Sequence, residues 1–245
     1  MPLLEVERVS KAFGGVRAVS DVSVSLEEGE LLGIMGPNGS GKTTLFNCIA
    51  GALSPDEGRI RLDGHDITGL SPHRICALGI ARTFQLVRPF GGLAALDNVL
   101  VGRLFGRRRH DGGAHVEAER LLALVGLEGR AAVPAAQLTL IDRKRLDLAR
   151  ALATGPRLLL LDEFLAGLNP AETETAMALI RRLLAGGTTI LMIEHIVWAL
   201  ADLSRRLVVL SAGEKIAEGP PAAVAADPAV VDVYLGTPRA GRGRA

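Results

Sequence analysis

Hydrophobic and polar positions alternate over residues 4–9 and again at Val22, Val24 and Leu26, the period-two pattern of half-buried strands. Glu27-Glu28-Gly29-Glu30 marks a polar turn, and Leu31 to Met35 is a short apolar run of the kind a buried strand requires. A glycine-rich loop follows. Leu45, Phe46, Ile49 and Ala50 then recur at helical spacing, with Gly51 as a stop. Ser54 to Gly58 reads as a turn, Arg59 to Leu62 as a strand and Ile80 to Phe84 as another. From about residue 93 to 153 the period becomes helical: Leu121, Leu122, Val125 and Leu127 share one face, and Leu146, Ala149, Leu152 and Ala153 another. Strands return at Leu158–Leu161, Thr189–Ile193 and Leu207–Leu210, with a helix at roughly 171–185 between the first two.

Buried strands alternating with helices predict an α/β domain with a mostly parallel sheet. The helical block then reads as an insertion, giving a core of about 1–85 and 154–236, a helical subdomain of about 86–153 and a tail from 237 to 245. That Arg/Gly-rich tail is expected to be disordered. Arg107-Arg108-Arg109 reads either as a solvated loop or as a contact for anionic lipid headgroups. The chain's 245 residues, 48% of them apolar, suffice for one such domain with a packed core. A formal net charge of +1 gives no argument for a nucleic-acid partner. Cys48 and Cys76 lie far apart without metal-ligand spacing, as expected of reduced thiols in a cytosolic protein. No signal-peptide pattern precedes Leu4, and no apolar run reaches the about 18 residues that cross a bilayer. Membrane association is therefore expected only through a partner.

Candidate chemistry begins at Gly36-Pro37-Asn38-Gly39-Ser40-Gly41-Lys42-Thr43, which fits the phosphate-loop pattern of Gly, four residues, Gly, Lys and Ser/Thr, with Thr44 adjoining. It follows a buried strand and opens a helix, the context the motif needs. Glycines let successive amides converge on phosphate oxygens, and the helix N-terminus adds partial positive charge. Lys42, one of only four lysines beside Lys11, Lys144 and Lys215, would neutralise the β- and γ-phosphates, and the Thr43 hydroxyl would ligate Mg²⁺. These residues predict binding of a nucleoside triphosphate.

The run Leu158–Leu161 ends in Asp162-Glu163, delivering two carboxylates to the sheet edge where α/β folds bind ligands. Asp162 would hold Mg²⁺, and Glu163 would accept a proton from the attacking water. Thr189 to Ile193 ends at Glu194-His195, whose imidazole is positioned to touch the γ-phosphate. Gln85, after Arg82-Thr83-Phe84, would sense Mg²⁺ and the water.

In this order the features resemble the ABC ATPase family across nearly the whole chain. The resemblance implies a RecA-like P-loop NTPase core with an inserted α-helical subdomain, hydrolysing ATP with Mg²⁺. It also assigns Phe13 to stack on adenine, residues 138–142 to the signature that acts on a partner's nucleotide, and Ala166 to Asn169 to the loop after the acidic pair. Gly79–Gln85, Asp97–Gly102, Ala166–Pro170 and Tyr234-Leu235-Gly236 resemble more narrowly the ATP-binding subunits of branched-chain amino-acid importers, of the LivG type. Such subunits pair with a second ABC ATPase, as hetero- or homodimer, beneath transmembrane permease subunits supplied by a solute-binding protein. The expected place is the cytoplasmic face of the cell membrane. Relatives serving urea, amides or lipopolysaccharide export, and a non-hydrolysing regulatory subunit, remain as alternatives.

The departures fall in the signature and beside the acidic pair. Where the family has Leu-Ser-Gly-Gly-Gln, this chain has Leu138-Thr139-Leu140-Ile141-Asp142, aligned through Ala149-Arg150-Ala151-Leu152. Thr139 keeps the hydroxyl, Leu140 and Ile141 put bulk where glycine admits close backbone approach, and Asp142 brings negative charge. The expectation is an asymmetric pair with one weak composite site. Phe164 stands where the family has proline, and Asn169 where it usually has aspartate.

Overall fold

In a computed structural model of the protein, residues 1–84, 87, 89–107 and 113–235 are described. Gln85, Gly236 and the 237–245 tail lie outside them, as do Arg108 and Arg109 of the arginine run.

Strands β1 (Leu4–Phe13) and β2 (Val16–Leu26) form a hairpin that joins β4 (Glu57–Leu62) and β5 (His65–Asp66) in a four-stranded antiparallel sheet of order β2-β1-β4-β5. The second sheet has six strands. Its members β3 (Leu31–Met35), β6 (Ile80–Arg82), β7 (Leu158–Asp162), β8 (Thr189–Ile193), β9 (Arg206–Ser211) and β10 (Glu214–Gly219) lie in the order β10-β9-β3-β8-β7-β6. All pairings there are parallel except β10 with β9. The mostly parallel sheet is thus present, but the first strands and β4 belong to a separate sheet, because an alternating pattern names one buried face without naming what covers it.

The parallel strands are buried on both faces, as their unbroken apolar runs require. Leu158 and Leu160 of β7 join Leu32, Ile34, Leu191 and Ile193 in a core under the antiparallel sheet and α1 (Lys42–Ile49). Leu159 and Leu161 point the other way, into a second core built with the helices that follow Arg82 in the chain. Each buried leucine contributes about 1.5–3 kcal/mol, so the sheet is held from both sides.

Helix α2 (Pro72–Leu78) precedes β6, with Ser71-Pro72 at its start and Gly79 at φ 110° closing it. Between β6 and β7 stand α3 (Ala95–Phe105), α4 (Ala114–Leu124) and α5 (Leu140–Ala153). After β7 come α6 (Pro170–Ala185), α7 (Val197–Leu203), α8 (Pro221–Ala226) and α9 (Pro228–Leu235). The strand expected over 80–84 stops at Arg82. Beyond it the Thr83 N–H still reaches Leu160 O, but the Phe84 N–H turns to the Asp147 carboxylate of α5 and its ring is exposed.

Asn98, fully buried in α3, explains the start of the helical block. Its Oδ1 accepts the Phe90 N–H at 2.8 Å, and its Nδ2 donates to the carbonyls of Phe90, Leu93 and Ala94. Gly102, one turn on, lies so close to α5 that a Cβ would press into the Arg150 carbonyl oxygen. Gly102→Ala should therefore cost about 1–3 kcal/mol, read as a lower urea midpoint at unchanged slope.

Candidate functional site

The register of three neighbouring strands builds the site. Ile34 of β3 and Asp162 of β7 both pair with Ile193 of β8, so the three strands end level. Whatever follows each strand must emerge side by side: residues 36–43 after β3, Glu163 after β7, and Glu194-His195 after β8.

Gly36 adopts φ 150°, and a Cβ there would run into the Leu210 carbonyl of β9. Gly39 at φ 78° and Gly41 at φ 100° hold the left-handed backbone that other residues resist. Asn38 and Gly39 are exposed at the crest, Pro37 is half-buried and Ser40 is buried. Gly41 caps α1 without a side-chain hydrogen bond, which leaves that helix's first amides facing the loop. Lys42 is buried. Its Nζ donates to Gly36 O at 2.8 Å and Pro37 O at 2.9 Å, drawing the loop into a ring. Burial lowers the Lys42 pKa, against the opposing pull of the Glu163 and Asp162 charges. Thr43 is exposed and Thr44 half-buried on the first turn of α1.

Asp162 is buried, and its carboxylate accepts from the Arg82 guanidinium at 2.6 Å. Arg82 also reaches Asn47 Oδ1 and lies over the Phe46 and Phe84 rings. Glu163 adopts φ 49°, a left-handed backbone rare for a side-chain-bearing residue, and its Oε1 lies 2.7 Å from His195 Nε2. The phosphate-loop lysine, the acidic pair and His195 are therefore brought together. Phe13 stands at the end of β1, half-exposed, with Lys11 Nζ 5.8 Å from its ring centre. Gln85 lies outside the described residues.

Residues 138–142 open α5. Leu138 is buried, Thr139 and Leu140 are exposed, Ile141 is half-buried and Asp142 is buried. The Thr139 hydroxyl accepts the Asp142 N–H at 3.2 Å, and the Asp142 carboxylate faces Arg145 at 3.5 Å. The negative charge of Asp142 thus sits in the first helical turn beside a cation from the basic run that follows it, where the helix dipole favours it. Asn169 caps α6 in a reciprocal box with Glu172, a signal present in the order Asn-Pro-Ala-Glu.

The burial of Lys144 and Glu194, and the part-buried Arg82 against Asp162, escaped the sequence reading. Lys144 was visible as a rare lysine and Glu194 as the neighbour of His195, but their burial was not. Glu194 Oε1 accepts the Leu165 N–H at 2.7 Å.

A glycine loop closing on a lysine, level with an acidic strand end and a histidine, defines a P-loop nucleotide-binding cassette. The defining pattern of the ABC transporter family matches residues 19–166, and the chain belongs to that family of transporter ATPases. A second pattern, that of the branched-chain amino acid ATP-binding cassette transporter, matches residues 214–240. The high-affinity branched-chain amino acid transport ATP-binding protein BraF of Pseudomonas aeruginosa is 40% identical, covering 96% of this chain and 98% of its own. LivG of Escherichia coli, of the same description, is 38% identical over the same shares. Among solved structures, the ADP conformation of the cassette MJ1267 is 32% identical with TM-score 0.87, over 97% of this chain and all of that one. The dimeric post-hydrolysis cassette MJ0796, bound to ADP and Pi, is 27% identical with TM-score 0.80, over 89% and 98%. The RecA-like core and nucleotide binding expected from the sequence are borne out. No helix among the described residues is long and apolar enough to cross a membrane.

Burial pushes the Glu194 carboxyl from 4.5 up to about 7. Backbone hydrogen bonds from Leu165 and His195 and the Lys144 charge oppose the rise, and the Glu163 charge adds to it. The folded state thus keeps a proton that the unfolded chain releases, a contribution present below the ordinary value and lost as pH rises through the folded one. Against Glu194→Gln, which has no such proton, the parent should lose stability between about pH 5 and about pH 8. Urea unfolding of both proteins across that range checks this.

Proposed function

We propose that this chain is the ATP-hydrolysing subunit of an importer of branched-chain amino acids, working against a second ATPase beneath two permease subunits on the cytoplasmic face of the membrane. A solute-binding protein delivers the cargo. The observation that carries the chemistry is the level ending of β3, β7 and β8, which gathers Lys42, Asp162 and the Glu163–His195 pair. The cargo reading is supported by the BraF and LivG likenesses over nearly the whole chain and by the match at residues 214–240.

In this reading Phe13 stacks on adenine and residues 36–44 cradle the phosphates with their amides and Lys42. Thr43 and Asp162 supply hard oxygen donors suited to Mg²⁺, and the Asp162 side chain is already set against a cation, Arg82, at 2.6 Å. Bound Mg²⁺ neutralises phosphate charge. Glu163 takes a proton from the attacking water, His195 steadies that carboxylate and the γ-phosphate, and Gln85 orients the water and the metal. The dimeric MJ0796 cassette bound to ADP and Pi supports a site closed between two subunits.

The pair is asymmetric. Leu140 and Ile141 occupy the first two positions of α5, where side chains crowd the approach of a partner's phosphate, and the Thr139 oxygen already accepts a hydrogen bond within its own cap. The partner's nucleotide therefore turns over slowly, and the site on this chain's own phosphate loop carries hydrolysis.

Two measurements test this in the assembled transporter. Glu163→Gln should lower ATP turnover at least about a hundredfold while ATP still binds. Lys42→Ala should remove most turnover, whereas the matching substitution in the partner ATPase should remove little. Equal loss from the two lysine variants would refute the asymmetry. Stimulation of turnover by leucine, isoleucine or valine on the solute-binding protein identifies the cargo, and its absence directs the search to urea, amides or lipids.

A further inference from the structure

The backbone at Glu163 is strained and held from several directions. A residue with a side chain at φ 49° costs about 1–2 kcal/mol and persists only where its surroundings fix it. The Glu163 N–H donates to Ile193 O at 3.0 Å, which ties the loop to β8. The rest of the hold comes from two buried titratable side chains, Lys144 and Glu194, that no step of the proposed hydrolysis uses. From α5, Lys144 Nζ donates to Ala166 O at 2.6 Å, to Phe164 O at 2.9 Å and to Glu163 O at 3.3 Å. From the end of β8, the Glu194 carboxylate accepts the Leu165 N–H at 2.7 Å. Both side chains are buried, at 6% and 2% exposure for their residues, so the bonds are shielded from competing water.

We infer that Lys144 and Glu194 are positioning residues that clamp residues 163–166 between α5 and β8 and so hold the Glu163 carboxylate where it meets His195. The chemistry matches the geometry. An ammonium carries three donors and no acceptor, and here it meets three carbonyl oxygens on one side of the loop. A carboxyl Oε1 accepts with or without a proton on the group, and here it meets an N–H from the same loop. Neither side chain faces the phosphate loop through a hydrogen bond: the Lys144 bonds all end on the segment that carries Glu163, and Glu194 takes N–H groups from that segment and from its own neighbour His195. Because α5 begins at the signature segment, the same lysine makes the helix that meets the partner's nucleotide part of the hold on this chain's own base. This inference rests on the reading of Glu163 as that base.

Four variants in the assembled transporter test it, each measured for ATP turnover, ATP affinity and thermal unfolding. Lys144→Met removes the three donors, and Glu194→Ala removes the acceptor. Each should lower kcat at least about tenfold while leaving the ATP Kd within about threefold of the parent, since displacement of a base costs rate and not ground-state binding. Lys144→Arg and Glu194→Gln keep a donor and an acceptor and should recover most of the rate. Should Lys144→Met fail to fold, the Glu194→Ala and Glu194→Gln pair decides alone. Turnover retained in Glu194→Ala, or ATP affinity falling in step with turnover, would overturn the clamp. Glu163→Gln separates the two ideas. If it retains turnover, the base assignment is wrong. If it loses turnover while Lys144→Met and Glu194→Ala keep theirs, the clamp alone is wrong.

Discussion

Everything at the site depends on three parallel strands ending at one level. The hydrogen-bond register that sets Ile34 and Asp162 against Ile193 is fixed by the core, because each strand is buried on both faces and a slip by one residue would exchange every side chain between two filled cores. Level strand ends leave the chain no choice about where its loops begin. The phosphate loop, Glu163 and His195 need no long side chains to reach one another, since the sheet has already brought their backbones together. The remaining work is local: glycines that let the backbone curl after β3, and a left-handed turn that aims Glu163 across to His195.

Around that frame the molecule withdraws several charged side chains wholly or partly from water and gives them named partners. Lys42 closes the phosphate loop on its own carbonyls, Arg82 neutralises Asp162, Lys144 gathers three carbonyls, and Glu194 takes a backbone N–H. A buried ion left alone would cost several kcal/mol, so these partners are a condition of the fold as well as of the site. Burial lowers the lysines' affinity for protons and raises that of Glu194, the directions expected when water is withdrawn. The charge at the site is therefore held in tension, poised for an anionic ligand that brings its own compensation.

Much of this was legible in the sequence, for physical reasons that differ by element. The phosphate loop could be read because its glycines answer a backbone requirement and its lysine a charge requirement, both at fixed spacing. The β7 run and its terminal acids were legible because burial on both faces writes an unbroken apolar segment. The antiparallel sheet was not separable from the parallel one, since Val22, Val24 and Leu26 show that one face is covered and say nothing of by what. Short helices such as α7 give too few turns for a period to register. The buried roles of Lys144 and Glu194 were hidden because a charged residue in a sequence reads as solvated until tertiary packing encloses it. Asp142 brings negative charge beside a phosphate site, repulsive unless the basic residues after it offset that charge, and in α5 it is a first-turn acid facing Arg145.

The most direct test of the account is a structure of the assembled transporter carrying Glu163→Gln with ATP and Mg²⁺ bound. The account predicts the γ-phosphate within hydrogen-bond reach of Lys42 Nζ, about 3 Å, with the residue 163 amide and His195 facing it across one water. A γ-phosphate out of reach of Lys42, or on the far side of the sheet from residue 163, would contradict it.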